Sequence, residues 1–397
     1  MWMIKKRSIF LRSSGEILVG ENEIEVSVVI PCLNEEPTIA GCVGKALRFF
    51  AENRVSGEVI VVDNGSTDRS FQNAAAAGAR VVVESVPGYG SAYLRGFKEA
   101  RGKYLVMGDG DDTYDFSRLE LFLEPLKKGC DFVMGSRFKG KIQKGAMPWA
   151  NRYLGNPVLT GLYRLFFRTG LSDIHCGMRS FTQKAYQKLN LHCLGMEFAS
   201  EMVMEALLKK LEILEVPIDY SKRKGISKLS PVKDAWRHLR FMLLFCPTWL
   251  YMVPGAVLSG FGFLVMLLLM SGPVNFLGHA WDIHMFILAA FLGVLGYQII
   301  NTGLYAKLFA IKQGYLDEEP ALHWFAKYFK LEIGLLAGAA LFFLGLALNT
   351  SIFVEWWQNA FGALYRIRES VAAMIFMILG LQTIFSSFFL SLLAIRR

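Results

Sequence analysis

The sequence predicts a doubly wound α/β domain followed by an α-helical membrane domain, and three observations carry that reading. Residues 25 to 220 alternate short, continuously apolar runs with helical stretches, the pattern of strands buried on both faces of a mostly parallel sheet. After Phe241 come four long charge-free segments, each at or above the roughly 20 residues that cross hydrocarbon. Between these regimes the chain turns basic and amphipathic. The predicted organisation is an extension over 1–24, the α/β domain over 25–230, a juxtamembrane helix over 231–246 and four spans within 247–397.

The strands expected in order are Val26–Ile30, Val59–Val62, Val81–Val83, Tyr104–Met107 and Phe132–Met134. Helices are expected between them at Thr38–Asn53, Asp68–Ala77, Ala92–Ala100 and Ser117–Lys128. Thr38 and Ser117 read as N-caps, the latter with Glu120 closing a capping box. Pro31 is expected to end the first strand by fixing φ. Asp234–Phe245 mixes Trp236, Leu239, Phe241, Met242 and Leu244 with Lys233, Arg237, His238 and Arg240, as an interfacial helix does. The spans are read as Phe245–Met270, Ile283–Ala306, Ile333–Val354 and Val371–Ile395.

Formal charge is +9 and the chain is 53% apolar. Neither a basic stripe interleaved with aromatics nor a zinc-finger spacing is present, so nucleic acid is excluded as a partner, and membrane lipids and phosphate ligands are preferred. Six scattered cysteines without a Cys-x-x-Cys pair read as reduced thiols, not a zinc site. Lys5, Lys6 and Arg7 are followed by a stretch broken by Arg12, Glu16 and Glu21, so no signal peptide is expected and the first domain stays in the cytosol. Lys307, Lys312, Lys327, Lys330 and Arg396-Arg397 put the C-terminus and the loop between spans two and three on that same side. Arg366 and Arg368 mildly violate the rule.

Three motifs fall at strand ends, where an open α/β sheet binds ligands. They are Pro31-Cys32-Leu33-Asn34-Glu35-Glu36, then Asp63-Asn64-Gly65-Ser66-Thr67-Asp68, then Asp109-Gly110-Asp111-Asp112. Each alone reads equally as a turn, and Asp68 suits an Asx turn at a helix start. Closely spaced carboxylates at a strand end also suit Mg²⁺ or Mn²⁺ shared with substrate phosphates. Arg137, Arg152, Arg179, Arg223 and Lys228 supply permanent positive charge; planar guanidinium groups suit phosphate oxygens, and any one arginine reads equally well as a surface or ion-pairing residue. Gly225 and Ser227 suggest that the Arg223–Lys228 segment is a closing loop. Gly88-Tyr89-Gly90 has the wrong spacing for a dinucleotide fingerprint. His175-Cys176 reads as structural, and Glu197 and Glu201 read equally as sugar ligands or as caps.

The three motifs, in that order and spacing, resemble glycosyltransferase family 2, the inverting GT-A fold. Gly135-Ser136-Arg137, Asp173…Gly177-Met178-Arg179 and Arg223-Lys224-Gly225-Ile226-Ser227-Lys228-Leu229 extend the match to the polyprenyl-phosphate hexose synthase branch, similar to dolichyl-phosphate mannose and glucose synthases. The resemblance implies a nucleotide diphosphate sugar on Pro31, Leu33, Glu35, Asp63, Asp109, Gly110 and Arg223, with Mg²⁺ or Mn²⁺ on Asp109 and Asp111. It implies polyprenyl phosphate on Arg137, Arg152, Arg179 and Lys228, and catalytic roles for Asp111, Asp173 and Arg137. Glucose is the favoured hexose, with self-association left open. The Gln-x-x-Arg-Trp pattern of processive synthases is absent, which argues against polymerisation. Two rivals follow: transfer to a diacylglycerol or lipid-linked sugar, with Asp173 as base, and a non-catalytic membrane scaffold.

Overall fold

A computed structural model describes residues 24–225, 231–313 and 331–394. The chain divides into two units: residues up to Asn156 with Leu171–Leu229, and Pro157–Gly170 with Ser230–Arg397. The cut differs from a single break at 230, because Pro157–Gly170 clusters with the second unit, where Phe166 stacks on Trp249.

The first unit is built on seven strands: β1 (Val26–Cys32), β2 (Gly57–Asp63), β3 (Arg80–Val83), β4 (Tyr104–Met107), β5 (Phe132–Ser136), β6 (Arg179–Thr182) and β7 (Ile213–Pro217). Their order is β3-β2-β1-β4-β6-β5-β7. All neighbours are parallel except β6, which runs antiparallel to β4 and β5. The chain winds outward from β1 to β3 and then returns to place β4 on the other side of β1. That reversal is the switch point where such sheets bind ligands.

Helices α1 (Ile39–Asn53), α2 (Ser70–Ala76), α3 (Tyr89–Glu99), α4 (Glu120–Lys127), α5 (Asn156–Phe167), α6 (Gln183–Lys188) and α7 (Phe198–Leu208) connect the strands. α1 buries Ile39, Cys42, Val43, Ala46, Phe49 and Phe50, one apolar stripe at helical spacing against the β1–β2 face.

Local expectations needed correction at three places. Pro31 does not end β1 but pairs with Val62 inside it. Residues 29 and 31 face β4, and that ladder has already stopped at Val29–Met107, so no donor is missed. Thr38 sits at the N-cap of α1 without capping it, because its hydroxyl donates instead to the Gly110 carbonyl at 2.7 Å. Ser117 lies inside a short 3₁₀ turn, Phe116–Arg118, that Asp115 caps, so the box with Glu120 does not form.

The second unit contains α8 (Pro231–Leu244), a π turn at Thr248–Met252 leading into α9 (Val253–Leu269), and a hairpin of β8 (Val274–Phe276) and β9 (His279–Trp281). Then follow α10 (Ile283–Lys312), α11 (Leu331–Gln358) and α12 (Ile367–Ala394). α8 is amphipathic as expected, with His238, Phe241 and Met242 buried and Trp236 and Leu244 exposed. Among the described residues four helices are long and apolar enough to cross a membrane: Thr248–Leu269, Ile283–Lys312, Leu331–Gln358 and Ile367–Ala394. The last three exceed their sequence-based limits because charged and polar end residues continue the helix beyond the apolar stretch.

Candidate active site

The site grows from the ends of β1, β2 and β4. Beyond β4 the chain turns at Asp112, whose φ is +63° and whose carboxylate is gripped by Lys45 at 2.6 Å and Lys224 at 2.5 Å. Burial opposes the charge on Asp112, but the two lysines outweigh it and hold its pKa below the usual value. Asp111 is nearly buried, with Oδ1 accepting from the Thr113 amide and hydroxyl at 3.1 and 2.6 Å. Its Oδ2 accepts from Arg223 through Nε at 2.6 Å and Nη2 at 2.5 Å.

Asp109 takes hydroxyl hydrogen bonds from Tyr89 and Tyr93 at 3.0 and 3.4 Å, both on Oδ1. Burial, reinforced by the charge of Asp111, pushes its pKa up to about 6. Its Oδ2 faces Gly177, where a Cβ would come within 2.9 Å of that oxygen. A crowded carboxylate pair with one oxygen of Asp109 left clear has the donor set of a hard-cation site, and Arg223 supplies compensating positive charge to it. Among the described residues no group of three or more His, Cys, Asp or Glu could hold a metal. An ion here would therefore draw its remaining ligands from phosphates and water, as Mg²⁺ does.

On the other side of β1 from β4, Asp63 closes β2 and is almost buried, with Oδ1 accepting from the Ser66 amide at 3.3 Å. Asp68 makes the expected Asx turn, accepting from the Ser70 amide and hydroxyl. Glu35 is buried, and its amide donates to the Ser70 hydroxyl at 2.7 Å. Leu33 remains exposed. Gly110 offers its carbonyl to Thr38. The 221–225 segment is tied down by Ser221 donating to the Thr113 carbonyl, by Arg223 and by Lys224.

A second cluster lies under the β5 end. Arg137 forks onto Asp173 with Nε–Oδ2 and Nη2–Oδ1 both at 2.7 Å, and its amide donates to Oδ2 at 3.0 Å. Asp173 is fully buried, and its backbone is fixed by Glu215. The Arg137 guanidinium lies over the Tyr220 ring at 5.3 Å. Nη1 is left outside the fork.

The structure corrects Arg179. It is fully buried and donates to three backbone carbonyls: Cys176 at 2.9 Å, Ala199 at 2.7 Å and Ile174 at 2.9 Å. A guanidinium enclosed in that way is a strut between chain segments and is out of reach of a lipid phosphate. Arg152 lies in a π turn, Asn151–Gly155, over the ring of Tyr153 beside exposed Trp149. Lys228 lies outside the described residues. The Cys176 thiol is pushed up to about 12 by burial and the Asp173 charge, so it is no nucleophile. Glu201 accepts from the His192 and Cys193 amides and so caps that loop. Gly90 serves close packing, donating to the Leu194 carbonyl.

Sequence reasoning missed Tyr89, Tyr93, Lys45, Lys224 and Glu215. Tyr89 was visible only as the middle of a glycine pair.

A sheet of this order with carboxylates massed at its switch point has the GT-A arrangement. The profile of Glycosyl transferase family 2 matches residues 27–189, and that of the Glycosyltransferase family 2 C-terminal transmembrane region matches 304–394. The low-salt glycan biosynthesis hexosyltransferase Agl6 of Haloferax volcanii is 40% identical over 386 residues, 96% of this chain and 92% of that one. A dolichyl-phosphate hexose transferase of the same organism is 33% identical, over 52% of this chain and 87% of its own. A dolichyl-phosphate beta-glucosyltransferase of Dictyostelium discoideum is 27% identical, over 59% of this chain and 80% of its own. The chain belongs to glycosyltransferase family 2, and it is an integral membrane protein.

Proposed function

We propose that this protein moves one hexosyl group from a nucleotide diphosphate sugar to a polyprenyl phosphate at the cytosolic membrane face, with inversion. Asp63 and Glu35 hold the nucleoside, with Pro31, Leu33 and Gly110 shaping that side. Arg223 contacts the diphosphate after leaving Asp111. Mg²⁺ or Mn²⁺, held by Asp109 and Asp111, would supply Lewis-acid stabilisation of charge on the departing diphosphate. Arg137 and Lys228 bind the acceptor phosphate, and Arg152 lies where exposed aromatics suit a lipid surface. Relatives named for dolichyl-phosphate acceptors support this acceptor class, and the glucosyltransferase among them favours glucose.

The observation that carries the reading is the state of Asp173. A hydroxyl acceptor needs a general base, and Asp173 was the candidate. It is fully buried with both oxygens committed to Arg137. A phosphate monoester, with a second pKa near ~6, is largely ionised at neutral pH and attacks without a base. Asp173 is then a positioning residue for Arg137, and the geometry favours phosphate over diacylglycerol or a lipid-linked sugar.

The test is incubation of membranes with labelled UDP- and GDP-sugars plus polyprenyl phosphate, with mass and NMR analysis of the lipid product. An α-linked donor should give a β-linked hexosyl phosphate. An α-linked product or a trapped glycosyl-enzyme adduct overturns the single displacement. A product on diacylglycerol overturns the acceptor.

A further inference from the structure

The four spans carry a repeat concealed by their apolar composition. α9 contains Gly255-Ala256-x-Leu258-x-x-x-Gly262, and α11 contains Gly338-Ala339-x-Leu341-x-x-x-Gly345, 83 residues later. α10 contains Ala289 and Leu295-Gly296-x-Gln298-x-Ile300. Its counterpart in α12 is Ala373 and Leu379-Gly380-x-Gln382-x-Ile384, 84 residues later. Glycine, alanine and leucine abound in membrane helices, so letters alone would not exclude coincidence.

The packing does. A Cβ on Gly255 would meet Gly296 O and Ile300 Cγ1 at 2.9 Å and Ile300 N at 3.0 Å. A Cβ on Gly338 would meet Gly380 O and Ile384 Cγ1 at 2.7 Å and Ile384 N at 3.0 Å. These are the same atoms at equivalent positions. Reciprocally, Gly296 faces Gly255 O and the backbone of Ser259, while Gly380 faces Gly338 O and the backbone of Phe342. Seven residues on, Gly262 lies against Ala289 O and Gly293 N, and Gly345 lies against Ala373 O and Met377 N. The side chains at 259/342 and 293/377 differ, yet the backbone contacts coincide.

The two hairpins meet through α10 and α12, which run in the same direction. Tyr305 and Phe389 occupy equivalent positions, and their rings touch with centroids 4.7 Å apart. Contact between equivalent positions marks a two-fold axis. At the other end of the seam Ala289 and Ala290 share a cluster with Ala372 and Ile375.

We propose that the membrane unit is a tandem pair of one helix hairpin, α9–α10 and α11–α12, related by a pseudo-two-fold axis running along the helices between Tyr305 and Phe389. Within each hairpin the two helices touch through backbone at two levels. The seam is closed by side chains, including two hydroxyl latches: Tyr297 with Thr383 at 2.7 Å and Tyr305 to Ser386 at 2.6 Å. Both latching tyrosines belong to the first copy, since their counterparts are Leu381 and Phe389.

The test uses the full chain in lipid nanodiscs. Replacing residues 338–345 by the sequence of 255–262 should leave a folded protein with an unchanged thermal midpoint. Gly260→Phe, which copies Phe343, should also be neutral, because a Cβ at Gly260 meets nothing within 4 Å. Gly255→Leu and Gly338→Leu should each lower the midpoint by roughly 5 °C or more, or abolish folding. In folded protein, Tyr305→Cys with Phe389→Cys should cross-link within one chain through a short bis-maleimide, identified by peptide mass. Unfolding of the exchanged chain, tolerance of only one of the two glycine replacements, or no 305–389 link would overturn the proposal.

Discussion

Asp111 presents one oxygen to Thr113 and the other to Arg223, so its carboxylate is oriented before substrate arrives. Asp111→Asn keeps the shape and removes the charge. It should lower transfer by roughly 100-fold or more, the scale of removing one preorganised electrostatic partner. Circular dichroism and thermal melting should stay near wild type, and full activity of the mutant in excess chelator would refute the role. Arg179 behaves oppositely. Its three carbonyl bonds lie in the interior, and leaving such groups unpaired costs about 1–3 kcal/mol each. Arg179→Met should lower the melting temperature markedly, while the surviving folded enzyme keeps its KM for polyprenyl phosphate. A raised KM at unchanged stability would restore Arg179 to the acceptor site.

At the scale of elements, the corner joining β1, β2 and α3 is pinned by Glu58. It accepts from the Ser27 hydroxyl, the Arg101 amide and the Arg80 guanidinium at 2.7 to 3.2 Å. Burial pushes the Glu58 pKa up, but these donors outweigh it and leave it lowered. A carboxylate with a depressed folded pKa adds stability above its unfolded value, 4.5, and loses it as pH falls through the folded value. Glu58→Gln should therefore melt below wild type at pH 7, and the gap should close on acidification below 4.5. A gap independent of pH would show that shape, not charge, is what matters there. Of the five strands read from sequence, β1, β2, β4 and β5 are buried over their apolar runs, which leaves no ambiguity, while the half-exposed edge strand β3 was legible from its three consecutive valines. β6 and β7 escaped because Arg179 opens one and Glu215 interrupts the other, and only tertiary partners make those residues tolerable inside a sheet. The strand-end carboxylates were legible for a similar reason, since local sequence places them. Lys45, Tyr89 and Lys224 were not, because each meets its aspartate across 67, 20 and 112 residues of chain.

For the whole molecule, the proposed transfer to polyprenyl phosphate requires that the spans hold the enzyme at the face where nucleotide sugars are made. The loop Ser271–Asp282 has no Lys or Arg, while Lys307 and Lys312 end the second span; Lys327, Lys330 and Arg396-Arg397 lie outside the described residues. The exceptions to the charge rule, Arg366 and Arg368, are each paired with an acid. Arg366 reaches Glu355 at 3.0 Å, and Arg368 bonds Asp282. Single cysteines placed at Asn275 or Asn359 should then react with a membrane-impermeant maleimide added to intact cells. A cysteine at Gln313, exposed at the end of α10, should react only after the membrane is opened. Reaction at Gln313 from outside would invert the four-span arrangement and put the nucleotide-sugar site on the wrong side for its donor.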